Sequence, residues 1–140
     1  MTSPTYELQG AIVQRLKNDP ALSAMIGGRV YDQVPRENGQ VSAQFPYVSF
    51  GPVDETSDDA TCITGFEISI QLDVWSRAQG FPECRQIIDL VRRALLNEEL
   101  ELTVNSLVDF THRMTQTLRD PDGITSHGVL HFVALVEQGA

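Results

Sequence analysis

Residues 64–76 read TGFEISIQLDVWS, and this stretch decides the fold. Apolar and polar residues alternate along it, which is the period of a β-strand with one buried face. The apolar set is Phe66, Ile68, Ile70, Leu72 and Val74. Burial of such side chains contributes on the order of 1.5–3 kcal/mol each. We therefore expect this strand to lie at the centre of the core, within an antiparallel sheet.

Three other segments carry helical signals. Residues 5–18 have apolar side chains at helical spacing after the start signal Ser3-Pro4. A short helical turn begins at Asp19-Pro20 and ends at Gly27-Gly28, because Asp and Pro favour a helix start and Gly favours its end. Residues 81–97 carry an apolar stripe opposite a charged side, which predicts the longest amphipathic helix.

Further strands are predicted on both sides of the central one. Residues 29–33 and 45–51 precede it, and residues 107–120 and 127–138 follow it. The last two are joined by Asp120-Pro121-Asp122-Gly123, a strong turn signal. We expect an α+β fold in a single domain over residues 1–140. Its predicted core is a mainly antiparallel four-stranded sheet with two main helices packed on one face.

The register of the last two strands decides whether His112 and His131 could share a metal ion. One register places them directly opposite each other, and a shift of one residue instead pairs apolar residues. Because such a shift reverses the faces of a whole strand, the hydrophobic match should decide the register. The predicted pairs are Val108 with Val136, Phe110 with Ala134, His112 with Phe132, and Met114 with Leu130. The two histidines then lie on opposite faces, and a shared metal site is not expected.

The same register leaves Val129, Val133 and Leu135 on the second face of the sheet, where polar residues would be expected. Apolar side chains gathered on one surface are normally covered by another layer or another subunit. We favour a subunit. Trp75, on the polar face of the central strand, either packs at an edge of the fold or anchors a partner. These four residues are the candidate subunit-interface residues.

Charge and composition exclude several classes of protein. Ten Lys and Arg against 19 Asp and Glu give a formal net charge of -9, which repels phosphate and disfavours nucleic-acid wrapping. No run reaches the ~18–20 apolar residues of a membrane span, and no apolar signal-peptide core begins the chain. We expect the protein to stay in the cytoplasm unless an assembly carries it out. Cys62 and Cys84 are expected to be reduced thiols without metal-site spacing.

The sequence carries no recognisable catalytic, cofactor or metal-binding motif. Gly27-Gly28 lacks the spacing of a phosphate-binding loop, and neither cysteine lies in a catalytic motif. The four carboxylates in residues 54–61 predict a solvated acidic loop, since the glycine turn and distal glutamate of an EF-hand are missing. Catalytic residues, cofactors and metal ligands are therefore predicted to be none, and the chain is predicted not to be an enzyme.

The order of elements and several short motifs give a resemblance. The chain resembles the tail-completion or tail-terminator proteins of long-tailed phages and of gene transfer agents. The motifs are Gly28-Arg29-Val30-Tyr31 with Val34-Pro35, Phe45-Pro46-Tyr47-Val48, Asp73-Val74-Trp75-Ser76-Arg77, Arg119-Asp120-Pro121-Asp122-Gly123, His127-Gly128-Val129-Leu130, and Phe132-Val133-Ala134-Leu135-Val136-Glu137. The resemblance covers nearly the whole chain.

The resemblance implies a structural role in a particle. It implies a hexameric ring of identical subunits that caps the tail tube, ends its polymerisation and joins it to the neck or head connector. The tube protein would bind one face and the neck protein the other, and DNA would pass through the lumen without specific binding. The alternatives are another ring component, such as a connector or tube subunit, and a small non-catalytic binding domain.

Overall fold

The computed structural model describes residues 2–139, which form three helices and seven strands. The helices are α1 (Pro4–Lys17), α2 (Pro20–Ile26) and α3 (Pro82–Leu96). The strands are β1 (Val30–Tyr31), β2 (Arg36–Glu37), β3 (Gln40–Val41), β4 (Tyr47–Ser57), β5 (Gly65–Ser76), β6 (Ser106–Arg119) and β7 (Ser126–Glu137). The predicted α+β class is confirmed, and the central strand lies where residues 64–76 indicated.

Each helix has proline in its first turn, where the missing N–H costs no hydrogen bond. The Ser3 side chain accepts from the Tyr6 amide at the start of α1, and Asp19 does the same for the Leu22 amide at the start of α2. Gly27 ends α2 in the left-handed region at φ 61°, a conformation that glycine adopts without steric cost.

The main sheet has five strands in the order β1-β4-β5-β7-β6. Strands β4, β5, β7 and β6 are antiparallel to their neighbours, whereas β1 runs parallel to β4. The brief strand predicted over residues 29–33 is present as β1, but the predicted four-stranded, mainly antiparallel sheet did not include it as a fifth, parallel strand at the edge. A parallel pair needs a long crossover, and residues 32–46, which include the small β2–β3 hairpin, supply it.

One face of the sheet, the inner face, joins the helices in a single hydrophobic core. From β5 it contributes Ile68, Ile70, Leu72 and Val74, and its neighbours on β7 are Leu130, Phe132, Ala134 and Val136. Buried side chains of α1, α2 and α3 belong to the same cluster. Gly128 of β7 lies directly under α3, since a Cβ there would be 2.5 Å from Ile88 Cδ1. The opposite side of the sheet is the outer face.

Strand β4 is longer than predicted. It continues through the acidic residues to Ser57, with a register shift between Phe50 and Val53. Asp54 pairs with Ser69 on the outer face, whereas Glu55 pairs with Ile68 on the inner face. The proposed acidic loop over residues 54–61 was therefore wrong in its first half, because alternation along a strand separates neighbouring carboxylates.

The β6–β7 register agrees with the prediction only in its middle. Phe110 pairs with Ala134 and His112 with Phe132, so the two histidines do lie on opposite faces. Register shifts between Leu107 and Asp109 and between His112 and Met114 change the pairs on either side. The predicted pairs Val108–Val136 and Met114–Leu130 are wrong: Leu107 faces Val136, and Met114 faces His131. A β-bulge adds one residue and reverses the faces beyond it.

Candidate functional site

The four candidate interface residues lie together on the outer face. Trp75 of β5 is paired with His127 of β7. Val129, Val133 and Leu135 lie an even number of residues beyond His127 on β7, so they share its face of the sheet. Val133, Leu135 and Trp75 are half-buried. Val129 is only 6% exposed, so the fold itself already covers most of its surface. Val133 and Leu135 are the β7 candidates with surface left to offer a partner.

Two further apolar residues on this face were missed by sequence reasoning. Met114 is 46% exposed and Leu118 is 39% exposed, and both pair with outer-face histidines of β7. The simple alternation placed them on the core side, and the bulge after His112 reverses that placement. We call Met114, Leu118, Val133 and Leu135 the outer hairpin surface. It carries more apolar area than the sequence predicted.

Trp75 is fixed by contacts within the chain. Its ring stacks on His127 at 3.8 Å between centroids with an interplanar angle of 10°. Its indole N–H donates to Ser49 Oγ at 3.0 Å. His127 Nε2 lies 2.7 Å from Asp73 Oδ1, and Asp73 is 6% exposed. The Asp73, His127 and Ser49 side chains resemble part of an acid–base site. The Ser49 hydroxyl oxygen, however, accepts the hydrogen bond from the Trp75 indole, so the arrangement orients the indole.

The β6–β7 turn is held rigid by one carboxylate. Asp122 Oδ1 accepts from the amides of Ile124 and Thr125, and Oδ2 accepts from the Thr125 hydroxyl at 2.6 Å. The hydrogen bonds from Thr125 and Ile124 lower the pKa of Asp122 below its ordinary value. The turn thus presents Ile124, which is 59% exposed and is the most exposed isoleucine of residues 2–139.

Three arginines surround this turn and lie on aromatic rings. The Arg85 and Arg119 guanidinium carbons are 5.0 and 4.5 Å from the centre of the Phe81 ring, and that of Arg77 is 4.2 Å from Phe45. Arg77 Nε also donates to Thr125 Oγ1 at 3.2 Å. Within the part of the chain that the structure describes, none of the three forms an ion pair with a carboxylate. Cation–π contact holds such side chains in place without neutralising them.

Two depressions lie at the other end of the sheet. A cleft of about 830 Å³ separates the C-terminal ends of α1 and α3, bridged by Arg15, which donates to the carbonyls of Ala94, Glu98 and Glu99. A smaller pocket of about 250 Å³ lies between the end of α3 and the start of β6. Its apolar lining includes Leu96 and Val108, which are 38% and 58% exposed.

A carboxylate ties the first turn of α1 to the segment before β6. Glu7 accepts from the amides of Thr103, Val104 and Asn105, and from the side chains of Thr103 and Asn105. Burial alone raises the pKa of Glu7, but the hydrogen bonds from Asn105, Val104 and Thr103 outweigh it and lower the pKa to about 2. This lock is structural.

The sulfur and metal-binding side chains do not converge. Cys62 is exposed and Cys84 is buried, and burial raises the pKa of the Cys84 thiol to about 11. Among residues 2–139, no three His, Cys, Asp or Glu side chains come together as a metal site would require. No helix in the same range is long and apolar enough to cross a membrane.

Comparison with known proteins identifies the family. The family model described as tail completion protein gp17 matches residues 10–137. The chain belongs to this tail-completion family. A chain in the virion of a native gene transfer agent particle is similar to this tail-completion protein, with a TM-score of 0.85 and 28% identity over 98% of this chain and 99% of that chain. The confirmed resemblance makes the protein a structural component of a phage-type tail.

A second solved structure shares the fold. The gp17 protein of bacteriophage SPP1 matches with a TM-score of 0.59 and 22% identity, over 97% of this chain and 90% of that chain. No curated protein sequence matches significantly. The tail-completion proteins are structural and generally non-enzymatic, in agreement with the lack of a catalytic motif in the sequence.

Proposed function

We propose that this tail-completion protein forms a closed ring, hexameric as in the implied family arrangement, that caps the tail tube and stops its polymerisation. One face of the ring binds the tube protein, and the other joins the neck or head connector. The observation that carries the proposal is the likeness over nearly the whole length to a chain within a gene transfer agent virion. The protein is made in the host cytoplasm and is carried in the finished tail.

The outer hairpin surface supports self-association. Met114 and Leu118 are so exposed that they contribute little to the stability of a monomer. Val133 and Leu135 extend the same apolar area along β7. Apolar patches of this kind mark protein interfaces. The candidate subunit contact therefore comprises Val133, Leu135, Trp75 at its margin and the small remaining surface of Val129. The net charge of -9 lets DNA pass through a lumen without being held.

The state of the purified protein tests the proposal. Light scattering and negative-stain imaging should show closed rings with six-fold symmetry, whose size stays the same when more subunits are added. Long filaments would instead identify a tube subunit, because a tube protein stacks ring on ring. A monomer at all concentrations, even with tail tubes present, would contradict the ring. Addition to polymerising tube protein from the same particle should stop tube growth at about one ring per tube end.

A further inference from the structure

The β6–β7 turn displays one exposed isoleucine, and several hydrogen bonds hold the turn itself in place. Besides the three hydrogen bonds to Asp122, the Asp120 amide donates to the Thr125 carbonyl at 2.8 Å and the Gly123 amide donates to the Asp120 carbonyl at 3.0 Å. A turn fixed in this way loses little freedom on binding. Ile124 is nevertheless left 59% exposed at its tip. A single exposed apolar residue is ordinary on a protein surface, so the groups around Ile124, which we call the knob, decide what it could bind.

The surroundings of the knob favour an acidic partner. Arg77 bonds Thr125 of the turn, and Arg119, the last residue of β6, shares the Phe81 ring with Arg85; none of the three is in an ion pair within residues 2–139. Of the nearby acids, Asp122 is bonded within the turn and Glu83 to the Ser76 hydroxyl, whereas the Asp120 carboxylate makes no hydrogen bond or ion pair in the same range of residues. A partner that offers a small pocket lined by both apolar side chains and carboxylates would match both the isoleucine and the arginines.

The chain itself offers a pocket that combines the two kinds of group. The depression of about 250 Å³ at the end of α3 is lined by apolar side chains that include Leu96, Leu107 and Val108 and by the acids Glu98, Glu99 and Asp109, and more of its exposed surface is polar than apolar. None of these three carboxylates is in an ion pair among residues 2–139. An isoleucine side chain is small enough for a cavity of this volume.

A subunit cannot fill its own pocket. The knob lies beyond Arg119 at one end of β6, and the pocket lies at Val108 near the other end. At about 3.3 Å per residue the two are on the order of 40 Å apart along an extended strand. The knob of one copy can therefore reach only the pocket of a second copy.

We propose that Ile124 of one subunit inserts into the Leu96–Val108 pocket of the next, with the arginines of the turn facing Glu98, Glu99 and Asp109. The contact joins two different surfaces, so it repeats head to tail and closes into a ring when the rotation allows. It deepens the proposed function and rests on it, since it assigns the contact that orders the subunits. The outer hairpin surface adds to this contact.

Two single substitutions test the knob and the pocket one at a time. Ile124→Ser removes the knob, and Val108→Arg fills the pocket and repels the arginines. Each should raise the concentration needed for ring formation by at least about tenfold, as truncation of a central anchor does. Ile63→Ser and Ile63→Arg are the matched controls, because Ile63 is 43% exposed but belongs to neither surface. Circular dichroism and thermal melting confirm that each variant is folded.

A mixture of the two variants gives the decisive result. The Val108→Arg variant keeps its knob and the Ile124→Ser variant keeps its pocket, so an equimolar mixture should form heterodimers that grow no further. Sedimentation velocity measures this directly. Normal rings from either variant alone, or no dimers in the mixture, would overturn the proposed contact while the ring itself stands. A wild-type chain that never associates would remove the ring and the contact together.

Discussion

At the scale of single residues, Glu7 is the clearest case of one side chain that holds separate segments together. Its two oxygens receive donors from residues 103–105, and Asn105 in turn bonds the Thr2 carbonyl and the Gly139 amide. A carboxylate that accepts several backbone N–H bonds is stabilised in its charged form. The start of α1, the segment before β6 and the end of the described chain meet at this point.

Glu7→Gln should lower the free energy of unfolding at pH 7 by about 1 kcal/mol, since a charge-assisted acceptor is lost from a partly exposed site. The pKa of Glu7 is lowered to about 2 from 4.5. Its contribution is therefore fully present above pH 4.5 and is lost as the pH falls towards 2. Urea unfolding at several pH values should show the wild-type advantage shrinking over that window. An equal difference at pH 7 and pH 2 would contradict this account.

The two cysteines should differ sharply in reactivity. Cys62 is exposed, whereas burial raises the pKa of Cys84 to about 11 and leaves its thiol protonated at neutral pH. Because the thiolate is the nucleophile, a thiol reagent at pH 8 should label Cys62 of the folded chain and leave Cys84 unmodified. Unfolding in guanidinium should expose the second thiol. Rapid labelling of Cys84 in the folded Cys62→Ser variant would show that the core opens.

At the scale of elements, α3 packs closely on β7 because Gly128 has no side chain at the point of contact. Gly128→Ala would place a Cβ 2.5 Å from Ile88 Cδ1 and 3.1 Å from Cys84 Sγ. Ile88 must then shift or α3 must move away from the sheet, at a cost of about 1–3 kcal/mol in the free energy of unfolding.

Gly10→Ala is the matched control for this substitution. Nothing lies within 4 Å of a Cβ at Gly10 in the middle of α1, so alanine should stabilise the helix by about 0.5–1 kcal/mol. Opposite signs for the two glycines in thermal or urea unfolding would confirm the packing of α3. A stable Gly128→Ala variant would show that the helix has room to move.

The elements also show how far the sequence predicts the structure. The alternation in residues 64–76 and the helical spacing around α1 and α3 located these elements within one or two residues, because one period runs through each. Bulges add a residue without changing composition, so the reversal of Met114 and Leu118 to the outer face had no sequence signal. The acidic end of β4 was taken for a loop because charge conceals an exposed strand. Val133 and Leu135 were placed correctly, since their strand has no bulge.

At the scale of the whole molecule, the two ends of the sheet differ in chemistry. The β6–β7 turn gathers aromatic rings, an exposed isoleucine and arginines that form no ion pair within residues 2–139, whereas the opposite end carries the acidic residues around the pocket. The exposed apolar side chains of the outer hairpin surface lie between them. The subunit thus presents chemically different surfaces at its two ends, which is what the proposed position between tube and connector would require.

Val133→Asp should prevent ring assembly and leave the monomer folded, because Val133 lies on the outer face and is only half-buried. A carboxylate there would be desolvated by an incoming subunit at a cost that exceeds any gain. Size-exclusion chromatography with light scattering should show the loss of the ring, and circular dichroism an intact fold. Ser57→Asp, which adds the same charge at an exposed site on β4, should assemble normally. Normal rings from Val133→Asp would remove the outer hairpin surface from the subunit contact.

The two bulges in β6 bear on whether unassembled subunits aggregate through this edge strand. A long, regular edge strand offers its free N–H and C=O groups to any other chain and promotes aggregation. In β6 the spacing of those groups is interrupted at Val108 and at Arg113, so a foreign strand cannot pair along its length. We therefore expect the protein to accumulate to high concentration without forming fibrils through this edge, so that side-chain contacts control the proposed association.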